Sequence, residues 1–211
     1  MIAAAFPIAA IIGYLLGTIP FGFLLTRAAG LGDVRSIGSG NIGATNVLRT
    51  GRKDIAAATL LLDGAKGAAA VLLMDRLAGP DAALVAAVAA VLGHCTSVWM
   101  RGRGGKGVAT ALGAILTLAW PVGLACLALW LAAVALTRMS SVGSLSAMVS
   151  APALMVWWHG PLPALATIAI AAIVLFRHAG NIRRLLAGTE PRIGAPAPSS
   201  PAPSSPGRGL G

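Results

Sequence analysis

Long apolar runs alternate with short polar islands along this chain, and the runs are too continuous to be the buried faces of a water-soluble fold. Seven apolar segments stand out, at about 4–26, 55–74, 82–98, 108–119, 122–137, 141–157 and 161–176. A bilayer crossing takes about 20 predominantly apolar helical residues, so the pattern predicts a bundle of about seven transmembrane helices. The segment 108–119 is the exception, because Pro121 ends it after about a dozen residues. It is expected to be tilted, re-entrant or a half-helix buried among its neighbours. The opening residues, MIAAAFPIAA, lack the basic region of a cleavable signal, so the stretch to Thr26 reads as the first span.

Composition strengthens this reading. The chain is 57% hydrophobic and 10% charged, with a mean hydropathy of +0.84, whereas an ordinary soluble domain carries roughly 25% charged residues. The fold class predicted is therefore an all-α polytopic membrane protein. Sixteen Lys and Arg face six acidic residues, for a net charge of +10. Such a surplus suits nucleic acid, anionic lipid or an acidic substrate, and position decides among them. Fourteen of the sixteen cations follow the first, third, fifth and seventh segments; Arg76 stands opposite and Lys66 lies within the second. Cytoplasmic loops collect Lys and Arg, so the N-terminus is expected outside and the C-terminus in the cytoplasm. Aromatic residues are not interleaved with the cations, which argues against nucleic acid as a partner.

A single membrane-embedded domain is expected over residues 1–193, followed over 194–211 by a disordered cytoplasmic tail of the composition GAPAPSSPAPSSPGRGLG. Cys95 and Cys126 lie in or beside apolar runs without paired spacing, which predicts neither a metal site nor a disulfide. Gly13 and Gly17, four residues apart, predict close helix packing. His159, beside Trp157 and Trp158, reads as part of an interfacial belt. Arg101 and Arg103 are equally explained as topology signals or headgroup contacts. Asp63 and Lys66 sit three apart in an apolar helix, where structural pairing and a ligand role are both open.

Three polar islands remain, all on the basic face: RSIGSGNIGATNVLRTGRK (35–53), GHCTSVWMRGRGGKGVATALG (93–113) and FRHAGNIRRLLAGTE (176–190). Their glycines let backbone N–H groups approach a ligand, and successive N–H groups form anion-binding nests. The second island is not a nucleotide-binding P-loop, since Lys106 is followed by Gly107 and the position five before Gly105 is Met100. It is a simpler device, in which Gly104 to Gly107 lead into a helix near Val108 whose N-terminus favours an anion, with Lys106 adding a point charge. Phosphate is the anion that fits.

The motifs SGNIGATNVLR, GH…GGKGVATALG and RHAGNIRRLLAGTE, in that order, resemble those of the bacterial membrane PlsY family, the acyl-phosphate:glycerol-3-phosphate acyltransferases. The resemblance extends over about residues 10–190. It implies a seven-helix enzyme of the bacterial inner membrane with its site at the cytoplasmic face. Such an enzyme moves an acyl chain from acyl phosphate to the 1-hydroxyl of glycerol 3-phosphate, releasing lysophosphatidic acid and inorganic phosphate. By motif position, Ser39 and Arg49 match glycerol-3-phosphate contacts, with Asn41, Thr45 and Asn46 shaping the pocket. Gly102, Gly104, Gly105, Lys106 and Gly107 match the phosphate loop, while His178 and Asn181 match the active polar pair. Glu190 and His94 match structural supports. The implied partners are glycerol 3-phosphate, acyl phosphate, membrane lipid and the enzyme that supplies the acyl phosphate; no cofactor and no metal are implied. The chain departs from the family at CTSVWM (95–100), where an aromatic and a proline are usual, and at Ala179-Gly180, where a charged residue is common.

An acyl phosphate is already activated, so no acyl-enzyme is expected. G-x-S-x-G is absent and no triad carboxylate backs His178, which leaves Ser39 as catalytic without being a nucleophile. The leaving phosphate can take the hydroxyl proton itself; general-base catalysis by His178 is the rival. Which substrate's phosphate occupies the glycine loop is open. The competing class is a membrane transporter of a phosphorylated anion, although the opposite loops offer mainly Asp81, Arg76, His159 and two Trp.

Overall fold

The computed structural model describes residues 2–194, so the expected tail lies, apart from Gly194, outside the described residues. Every predicted apolar segment is helical. The first is broken into α1 (Ile2–Thr18) and α2 (Phe21–Ala28). The others are α4 (Lys53–Ala78), α5 (Pro80–Cys95), α6 (Val108–Leu118), α7 (Trp120–Thr137), α8 (Ser140–His159) and α9 (Pro161–Arg177). Two short α-helices, α3 (Ala44–Val47) in the first island and α10 (Ala179–Leu186) in the third, are accompanied by 3-10 turns at Val34–Ser36, Leu48–Thr50 and Val98–Met100.

Local chemistry accounts for the boundaries. Pro20 lacks an N–H and breaks the first apolar run. Pro80, Pro121 and Pro161 occupy the first turns of α5, α7 and α9, where the missing N–H has no partner to lose. At 26 residues, α4 is about 39 Å long at 1.5 Å per residue, ample for a hydrocarbon core of about 30 Å. The 11 residues of α6 reach only about 17 Å. Among the described residues, five helical stretches are long and apolar enough to cross a membrane; a sixth arises if α9 and α10, bent by 63° at His178, count as one. The short sixth helix is thus a half-length element, as Pro121 implied.

The bundle is organised around α5, which packs against α1, α4, α6 and α9; α7 pairs with α8 and α8 with α9. Gly13 and Gly17 permit the first of these contacts, since a Cβ on either would strike the backbone of Ala86 or Ala90 on α5. One apolar core joins Ala87, Val91, Ile115, Val122, Met148, Met155, Ile170 and Val174 across α5 to α9. A smaller one, of Val34, Ile42, Val47, Ala56 and Met100, lies beneath the first island and anchors it to α4. Exposed Leu61, Leu77, Leu131, Leu165 and Phe176 are expected of helices whose solvent is lipid.

The unusual CTSVWM stretch is tied down by residues of α1. Ser97 Oγ donates to the Thr18 carbonyl at 2.5 Å, Trp99 Nε1 to Thr18 Oγ1 at 3.1 Å, and Tyr14 Oη to the Thr96 carbonyl at 3.1 Å. These contacts set the path of the chain into the glycine loop.

Candidate active site

The first island is a loop wrapped around one amide. Asn46 is buried; its Nδ2 donates to the carbonyls of Val34 (2.8 Å), Ile37 (3.1 Å) and Asn41 (2.8 Å), while its Oδ1 accepts the Ser39 N–H at 3.1 Å. Asn41 Oδ1 accepts the Gly43 N–H at 2.8 Å. Both amides are thereby occupied in shaping the loop, and Ser39, Thr45 and Arg49 are left exposed on it. The side chains of Arg49 and Asn46 lie against Gly38, the residue before Ser39. At the edge of the island, Arg35 grips Asp33 through its guanidinium and its N–H, and this holds the Asp33 carboxyl down at about 2.

The glycine loop divides its N–H groups between two tasks. Gly104 N–H donates to the Cys95 carbonyl at 3.2 Å and Gly105 N–H to the His94 carbonyl at 3.0 Å, capping the end of α5. Neither position tolerates a side chain: a Cβ on Gly104 would overlap the His94 carbonyl, and one on Gly105 the His94 ring. The N–H groups of Lys106 and Gly107, and of the first turn of α6, have no partner among the described residues. The anion-facing donors therefore begin at Lys106, two residues later than the glycine pattern implied. Gly102 is exposed at the loop's start.

The third island closes the site. His178 is buried where α9 gives way to α10, and its Nδ1 lies 2.8 Å from the Val174 carbonyl. A carbonyl only accepts, so Nδ1 carries the proton and the neutral ring keeps a free lone pair on Nε2. Asn181 Nδ2 donates to Glu190 Oε1 at 2.5 Å and Arg184 Nε to Glu190 Oε2 at 2.8 Å, folding the segment after α10 back onto it. Burial acts to raise the Glu190 carboxyl, but these bonds outweigh it and hold it below the usual range. Ser141, at the start of α8, also faces Glu190, outside strict hydrogen-bond geometry.

Arg177, read from the sequence only as a topology cation, joins the second and third islands: its Nε donates to the Gly105 carbonyl and its Nη2 to the Gly104 carbonyl, each at 3.1 Å. Its place at the end of an apolar run gave no sign of this.

The three islands meet at Lys106. Burial lowers its ammonium; nearby Glu190 opposes the shift, Arg184, Arg177 and Arg49 add to it, and the result is about 8. A cation crowded by three others and partly stripped of water is a strong attractant for a phosphate, which relieves that repulsion. Ser39 stands on the first island, His178 at the junction of α9 and α10, and Asn181 in the first turn of α10.

An all-helical membrane protein with a cationic site bearing free N–H donors at one end of its bundle is the class defined by this geometry. The sequence profile of the glycerol-3-phosphate acyltransferases matches residues 7–188, and the chain belongs to that family. The glycerol-3-phosphate acyltransferase of Paramagnetospirillum magneticum is 57% identical over 182 residues, covering 86% of this chain and 90% of that one. The Bradyrhizobium diazoefficiens enzyme is 52% identical over 195 residues, covering 92% and 98%. A crystal structure of PlsY, an integral membrane glycerol 3-phosphate acyltransferase, in its glycerol 3-phosphate form is similar with a TM-score of 0.84 and 36% identity, covering 90% of this chain and 96% of that one. Its lysophosphatidic acid form gives 0.82 and 35%, covering 89% and 94%. The family is the one to which the three motifs pointed.

Proposed function

We propose that this chain transfers the acyl group of an acyl phosphate to the 1-hydroxyl of glycerol 3-phosphate, at the cytoplasmic face of a bacterial inner membrane. The observation that carries this reading is the run of unpartnered N–H groups from Lys106 into α6, on a loop whose Gly104 and Gly105 carbonyls are held by the Arg177 guanidinium at 3.1 Å. With the half-length α6 counted as a short crossing, the proposed topology has seven crossings, the N-terminus outside, and the cationic loops with the Lys106 cluster on the cytoplasmic side.

In the proposed reaction, Ser39 and Arg49 hold the acceptor, while Asn41, Thr45 and Asn46 keep their loop in shape. Lys106 and the N–H groups from Lys106 onward bind phosphate. The acceptor oxygen attacks the acyl carbonyl carbon, the bond from that carbon to the bridging phosphate oxygen breaks, and the hydroxyl proton passes to a phosphate oxygen. The products are 1-acyl-glycerol 3-phosphate and inorganic phosphate, with no acyl-enzyme. His178 and Asn181 orient the reactants by hydrogen bonding, and alignment with oxyanion stabilisation supplies the acceleration. The acyl chain lies among apolar helices, where each buried methylene contributes about 0.8 kcal/mol. An enzyme that phosphorylates or phosphorolyses acyl groups must supply the donor.

The test is phosphate release by purified protein given palmitoyl phosphate, with and without glycerol 3-phosphate, beside Lys106→Ala. Release that requires the acceptor, yields lysophosphatidic acid and collapses in the variant is expected. Folded protein that makes no product but takes up phosphorylated anions in proteoliposomes would overturn the reading in favour of a transporter.

A further inference from the structure

Three ionisable side chains lie within the helical bundle, apart from the cluster on Lys106. Asp63 and Lys66 stand on α4 and His94 on α5, and none is more than 4% exposed. An apolar bundle tolerates such groups only where they are paired or perform a task. Lys66 Nζ is 2.7 Å from Asp63 Oδ1 and donates to the Ile19 carbonyl at 2.7 Å, at the break between α1 and α2. His94 Nδ1 lies 3.5 Å from the same Asp63 oxygen, and neither atom meets hydrogen-bond geometry with another group among the described residues.

The other edge of the His94 ring meets the glycine loop, where its Nε2 occupies the space a Cβ on Gly105 would need. The main chain of the same histidine accepts the Gly105 N–H at 3.0 Å. A line of contacts therefore runs from the α1–α2 break, which leads into the Ser39 island, through Lys66, Asp63 and His94 to the loop bearing Lys106. An ion pair of Asp63 with Lys66 would by itself satisfy both charges. It gives no reason for an imidazole on the next helix with one nitrogen towards the carboxylate and the other against the loop.

We propose that Lys66, Asp63 and His94 are positioning residues that fix the glycine loop relative to α1 and α2, and so hold Lys106 in register with Ser39 and Arg49. They act through the loop and touch no substrate; their effect on rate rests on the acyl-transfer reading above. The carboxylate keeps the imidazole facing it, and the imidazole edge supports Gly105. Without the carboxylate the ring can turn and the loop can shift, and a misplacement of about 1 Å from a remote change costs on the order of 100-fold in rate.

The experiment uses the full chain in detergent, with the double variant Asp63→Asn/Lys66→Met, which leaves no buried charge alone, and with His94→Gln and Asp63→Glu. Acyl-transfer kinetics are measured beside hydrogen–deuterium exchange of the 102–107 loop without substrate. The first two variants are expected to keep wild-type protection in α4 and α5, to exchange faster in the loop and to lose about 10- to 100-fold in kcat. Asp63→Glu, which keeps every charge, recovers part of the rate and carries the comparison where the other two fail to fold. Folded variants with wild-type kcat and loop exchange would overturn the proposal, as would lost activity with unchanged loop exchange. Wild-type protein without acyl transfer would instead refute the acyltransferase reading, because loop exchange is read independently of turnover.

Discussion

His178 and Lys106 carry the sharpest consequences at the scale of single residues. The Val174 carbonyl fixes the His178 tautomer and leaves Nε2 able to accept a proton or a hydrogen bond, so geometry alone admits both roles considered for it. If the phosphate takes the proton, His178→Gln lowers kcat but leaves the shape of the pH–rate profile unchanged; if His178 is the general base, the variant loses the acid limb of the profile, which burial of the imidazole pushes down to about 4. Lys106 predicts a separate limb. Its ammonium is lowered to about 8, and only the protonated form attracts phosphate, so kcat/KM should be full below pH 8 and fall as pH rises through it. Bound phosphate stabilises the ammonium, which moves the corresponding limb of kcat upward. Arginine stays charged throughout, so a pH profile of Lys106→Arg should lack this limb.

Close approach of backbones decides the behaviour of the elements. The contact of α1 with α5 depends on Gly13 and Gly17, and Gly17→Ile drives a branched side chain into the Ala90 backbone. Overpacking of this kind costs about 1–3 kcal/mol, so a clear fall in thermal midpoint is expected, with residual activity per folded molecule retained. Gly105→Ala differs, because its Cβ meets the His94 ring at the edge of the site. It should lower activity far more than the midpoint, and parallel melting and turnover assays would separate the two effects. Such glycines could be read from the sequence as small residues in apolar runs or loops. Which backbone each faces could not, because that follows from the register of helices distant along the chain.

At the scale of the whole molecule, the proposed orientation makes a labelling prediction. Cys95 and Cys126 are both buried and free, so they give little background with a membrane-impermeant maleimide. Ser36→Cys on the first island should react in inverted vesicles and not in right-side-out ones, while Trp157→Cys at the end of α8 should show the reverse. Labelling of both from one side would refute the topology. The same arrangement gives the molecule its asymmetry: the polar islands gather at one end of the bundle, and Trp120, Trp157 and Trp158 are exposed at other helix ends.

Hydrophobic periodicity, proline positions and the bias of cations determined the helical segments, the half-length α6 and the three islands, because each depends on residues adjacent in sequence. The identity of the family was equally legible, since its motifs are contiguous. Asn46 illustrates the limit: its residue type announced a polar role, but only the folded loop showed its amide committed to the carbonyls of Val34, Ile37 and Asn41. The use of Gly104 and Gly105 to cap α5, the grip of Arg177 on their carbonyls and the approach of His94 to Asp63 were likewise settled by tertiary structure. Each joins groups 9 to 73 residues apart or sets one helix against another. A local pattern records which groups are polar, whereas the partner that satisfies each one is chosen when helices pack and remove the alternative, water.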